Sequence, residues 1–92
     1  MRREQAEIVA LKALAWIAGD RELLSVFLGS TGSNPEDLRG QADDPAFMVS
    51  VLDFLVREDA WIVAFCDAEG FPYQTPILAR RALPGGSDIH WT

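Results

Sequence analysis

The chain has one cysteine, one histidine, few basic residues and no apolar run long enough to span a bilayer, and each shortage removes a class of function. Cys66 stands alone, so it has no intrachain disulfide partner and no second thiolate with which to build a metal cluster. A lone thiol of this kind fits a reducing, cytoplasmic setting. His90, the only histidine, lies beyond the Gly85-Gly86 pair near the end of the sequence. Triads and zinc sites that depend on histidine therefore lack parts, because such chemistry needs a side chain held in register by a rigid scaffold. Eight basic residues face fourteen acidic ones, a net charge of −6 that repels phosphate backbones. The apolar stretch from Ile8 to Ala18 is far shorter than the roughly 20 residues of a membrane-spanning helix. It also fails as a secretory leader, since Glu4 and Glu7 precede it and Lys12 interrupts it.

What is present is a helical grammar. Ninety-two residues suit one domain with one core, and each large apolar side chain fully buried there is worth roughly 1.5 to 3 kcal/mol. Asn34-Pro35, Asp44-Pro45 and Thr75-Pro76 each put a capping side chain before a residue suited to the first helical turn. Asp20 and Asp59 are further cap candidates, and Gly19, Gly32, Gly40, Gly70 and Gly85 sit where helices should stop. These signals predict an all-α fold, a compact bundle of five to six short helices over about 3–18, 20–29, 35–42, 45–57, 60–69 and 76–83, with 84–92 as a frayed tail.

Helical wheels then assign the faces. The first helix should turn Ala10, Leu11, Leu14, Ile17 and Ala18 inward and Gln5 and Lys12 outward. The second should bury Leu23, Leu24, Phe27 and Leu28. The fourth, expected to be central, aligns Phe47, Met48, Val51, Leu52 and Leu55, with Asp53 and Arg57 as an i,i+4 ion pair on the opposite stripe. The fifth places Trp61, Ile62, Phe65 and Cys66 together. Its sequence AWIVAFC also favours strand, so a hairpin with FPYQT is the rival reading, although Pro72 and Pro76 count against the second strand.

Several apparent sites have simpler explanations. Asp43-Asp44 resembles a carboxylate pair for a metal, but Asp44 has a helix to cap, and the alternating ligands of a calcium loop are missing. GSTGSNP at 29–35 lacks the lysine and hydroxyl ending of a phosphate-binding loop and reads as a turn. No basic cluster near Cys66 lowers its thiol pKa, so it reads as packing. No cofactor and no metal is expected. Residues 23–42 imitate a helix-turn-helix, yet the second helix opens with Glu36 and Asp37 where DNA contacts need donors.

One residue resists the bland reading. Trp16 lies on the polar side of the first helix, four positions after Lys12, and tryptophan is enriched at interface hot spots. Trp16 and Lys12 are therefore the candidate interaction surface. The accompanying expectation is a noncatalytic module that binds a protein partner or itself. A nucleic-acid-binding regulator and a small enzyme or metal protein stand as alternatives.

The segments ALKALAWIAGD, LLSVFLGSTGSNPEDLR, DDPAFMVSVLDFLVREDAWIVAFC and ARRALPGG resemble a family of small uncharacterised alphaproteobacterial proteins, a domain of unknown function of about 90 residues. The resemblance is most specific at Phe27 to Arg39 and at Asp44 to Leu55. It implies a helical, cytoplasmic, bacterial protein, supports helix over hairpin at Trp61, and transfers no catalytic or binding residue.

Overall fold

Two aspartates show how the helix starts are made. In the computed structural model, which describes residues 1–84 with the Arg39 side chain aside, the Asp20 carboxylate accepts from the N–H groups of Glu22 at 3.1 Å and Leu23 at 3.2 Å. Asp44 accepts from the Ala46 N–H at 3.0 Å, with Pro45 as the first helical residue. Each bond satisfies a donor that the first turn leaves without an intrahelical partner. Six helices follow in the described residues: α1 Arg3–Ala18, α2 Arg21–Thr31, α3 Asp37–Gln41, α4 Pro45–Leu55, α5 Asp59–Glu69 and α6 Thr75–Ala82. The rival hairpin is excluded, because Trp61 to Cys66 lies inside α5. No helix among these residues is long and apolar enough to cross a membrane.

Other boundary expectations need correction. Asn34 caps nothing: its backbone N–H donates to the Asp37 carboxylate at 3.2 Å, and α3 begins only at Asp37. Gly40 lies within α3 and does not end it. Thr75 is the first residue of α6, buried and without a cap bond, so Pro76 takes the second helical position, where a missing N–H still costs nothing. Asp59 also lies inside its helix, behind Glu58, where its charge favours the positive helix end. Gly32 and Gly70 do end helices, at φ of 71° and 75°, a left-handed turn open to glycine without strain. The expected stop at Gly85 and the proposed tail, His90 included, lie outside the described residues except for Pro84.

The core is organised around α1, which packs on α2, α4 and α6, while α4 and α6 also touch. α4 supplies the bulk, burying Phe47, Met48, Val51, Leu52, Phe54 and Leu55. α1 supplies the close approach, burying Ala6, Val9, Ala10, Ala13 and Ile17. That corrects the wheel reading, for Leu11 and Ala18 face solvent and Leu14 is only half-buried. Alanines at the contact let neighbouring helices sit near the α1 backbone, and the larger side chains of α4 fill the space.

Aromatic rings join the helices in two chains. Phe27 of α2 meets Phe47 and Phe54 edge-on, at centroid distances of 6.0 and 5.2 Å, and Trp61 of α5 stacks on Phe54 at 4.8 Å. Separately, Trp16 of α1 stands edge-on to Phe65 at 6.0 Å, and Phe65 meets Phe71 at 5.8 Å. The expected Asp53–Arg57 pair is replaced by a longer link, in which Asp53 accepts from Arg80 Nε of α6 at 3.1 Å, and Arg57 lies beyond the end of α4. Arg57 instead lies with its guanidinium 5.7 Å from the centre of the Phe54 ring.

Candidate functional site

Cys66, Asp44 and the hydroxyls of the 29–35 segment are engaged in structural roles. Cys66 is fully buried in α5, where desolvation first and the charge of Asp67 second push its thiol pKa up, so it stays protonated at neutral pH. Asp44 is occupied by its cap. The GSTGSNP segment begins as helix: the Ser30 and Thr31 hydroxyls donate to the Phe27 carbonyl at 3.2 and 2.9 Å, and the chain turns only at Gly32. No three His, Cys, Asp or Glu side chains cluster among the described residues. In the segment that imitates a helix-turn-helix, α3 is five residues long with Asp37 in its first turn.

Trp16 and Lys12 share a helix but serve different depressions. Trp16 is half-buried, and it lines an open groove of about 470 Å³ together with Trp61, Leu23, Val26 and Ala64, with Asp20 and Glu22 on the rim. The groove exists because α1 ends at Gly19 and Asp20 immediately starts α2, which leaves the Trp16 indole between α2 and α5. Lys12 reaches across to α5, where its Nζ lies 3.3 Å from Glu69 Oε1. It borders a second, apolar depression with Met1, Gln5, Ile8, Val9, Phe71 and Thr75.

Wheel reasoning missed two walls of the Trp16 groove. Trp61 is only partly buried: its ring stacks on Phe54 and also borders the opening. Val26 is 53% exposed, a large apolar side chain held in water beside two indoles. Its signal was legible, since Val26 is an apolar residue lying off the stripe of Leu23, Leu24, Phe27 and Leu28. That Trp61 would border the same opening required the tertiary placement of α5 beside Trp16, whose indole meets Phe65 edge-on.

The family described as Protein of unknown function (DUF3572) matches residues 3–86. No curated protein and no solved structure matches. The match takes in all six helices, including those that build the Trp16 groove, and the chain belongs to the DUF3572 family.

Proposed function

We propose that this chain is a noncatalytic protein–protein interaction module, and that it works in the bacterial cytoplasm, the setting its family resemblance implies. The observation that supports it is the groove in which Trp16, Trp61 and the exposed Val26 are rimmed by Asp20 and Glu22. Interface hot spots are enriched in tryptophan and set an apolar, aromatic centre inside a polar rim. The acidic rim and the net charge of −6 favour a partner segment that brings apolar side chains flanked by lysine or arginine. Acidic residues between Asn34 and Asp59 add to the same field and accelerate encounter with a basic partner. Lys12, bound to Glu69 over a different depression, is left out of this surface.

The test uses a defined probe, a lysine–leucine amphipathic helical peptide, titrated into the full chain while the indole N–H resonances are followed by NMR. The Trp16 and Trp61 signals should shift together, and added salt should weaken the effect. Val26→Asp, at an exposed position, should weaken binding by about tenfold, the loss produced by ~1.4 kcal/mol, and leave Tm unchanged. Shifts confined to other residues, or a full response in Val26→Asp, would remove the groove from the proposal.

A further inference from the structure

From Ile8 onward, beyond Glu4 in the first turn, the outer face of α1 is apolar where a surface helix is normally polar. Opposite the buried Ala6, Val9, Ala10, Ala13 and Ile17 lie Ile8, Leu11, Ala15 and Ala18, all exposed, with Ile8 at 53% and Leu11 at 45%. Their spacing alternates three and four residues, the repeat that places Ile8 and Ala15 at a positions and Leu11 and Ala18 at d positions of a coiled-coil seam. In that frame Glu7 falls at g and Lys12 at the following e. A separation of five residues brings the g side chain of one helix to the e side chain of a parallel neighbour.

We propose that α1 pairs in parallel with α1 of a second copy of this chain, through Ile8 and Leu11 and with Glu7 of each chain bonded to Lys12 of the other. The surface is self-complementary: one stripe supplies the apolar knobs, and its two flanks supply both members of each ion pair. Ala15 and Ala18 allow the backbones to approach at the C-terminal end of the seam. Charge along the flanks selects the direction: an antiparallel pairing sets e against e and brings Lys12 toward its own counterpart inside the seam, whereas the parallel pairing confines like charge to Glu4, at the d position of the first turn outside it. Glu7 and Lys12 are available for exchange. Their present bonds, to Arg3 at 3.1 Å and Glu69 at 3.3 Å, are surface pairs of small net value. The seam spans two heptads and half its positions are alanine, so the dimer is weak and dependent on concentration. It is separate from the Trp16 groove, since none of its four seam residues lines that opening.

Sedimentation velocity of the full chain from micromolar to millimolar concentration tests this. The native chain should shift from monomer to dimer as concentration rises. Leu11→Glu should retain the helical circular dichroism spectrum and Tm while raising the dissociation constant by about a hundredfold. Glu7→Lys should also weaken the dimer, although it lowers the net charge from −6 to −4 and so reduces general repulsion. Adding Lys12→Glu returns the net charge to −6 and should restore the dimer with the partners exchanged. Val26→Asp should leave it unchanged. A native chain that stays monomeric throughout, a dimer that survives Leu11→Glu, or a double variant no better than Glu7→Lys would overturn the proposal.

Discussion

Tyr73 is the only tyrosine in the chain, and half of its surface is exposed. Its hydroxyl donates to Asp67 Oδ1 at 2.8 Å, a bond that holds the phenol proton, and the charge of the same carboxylate opposes a phenolate beside it. Both effects raise the phenol above its ordinary pKa of 10.0. The folded state therefore keeps this proton more tightly than the unfolded state does. Its contribution to stability is fully present below the unfolded pKa and disappears as pH rises through the folded value. A spectrophotometric titration at the phenolate band should give one midpoint above 10.0, and Asp67→Ala should lower it. A native midpoint at or below 10.0 would contradict the bond. Cys66, one residue before Asp67, is raised chiefly by burial, so its thiol and the Tyr73 phenol resist deprotonation for different physical reasons.

At the scale of the helix, the caps divide into those that bond and those that only look suitable. Asp20 accepts two backbone N–H groups at the start of α2, whereas the Asn34 region forms a turn and leaves α3 to begin at Asp37. Asp20→Ala should cost about 0.5–2 kcal/mol in urea denaturation, as the loss of a bonded cap does. Asn34→Ala should stay within about 0.5 kcal/mol, as an ordinary surface change does. Equal effects would mean that Asn34 has a role its side chain does not display. Asp20 and Asp44 were legible in the sequence because an aspartate bonding the N–H two or three residues onward is a local event. Thr75 was not, because its burial sets where α6 begins, and burial belongs to the whole core. α5 was legible for another reason: AWIVAFC favours strand residue by residue, but Ile62, Phe65 and Cys66 share one side only as a helix.

Across the whole molecule, α1 is the helix that touches most of the others, and its contacts invert the usual ranking of side chains. Ala13 is fully buried in the core, whereas Leu11, two residues earlier, is 45% exposed. Ala13→Leu should destabilise by about 1–3 kcal/mol, because added volume there must displace packed neighbours. Leu11→Ala should change the dilute monomer by no more than about 0.5 kcal/mol, and thermal unfolding of the two variants checks the contrast. If Leu11→Ala were the costlier change, the inward face of α1 would have to be reassigned. The sequence by itself determined that the chain is helical, roughly where its helices lie, and that Trp16 sits apart from a simple amphipathic pattern. Those features follow from periodicity, turn chemistry and caps, all of which act within a few residues. Only the tertiary structure decided which side of α1 faces inward, that Asp53 meets Arg80, and that Trp16 and Trp61 share a groove. α1 is apolar on two opposite sides, so its own sequence leaves both choices open, and the choice is made by the helices that pack against its alanines.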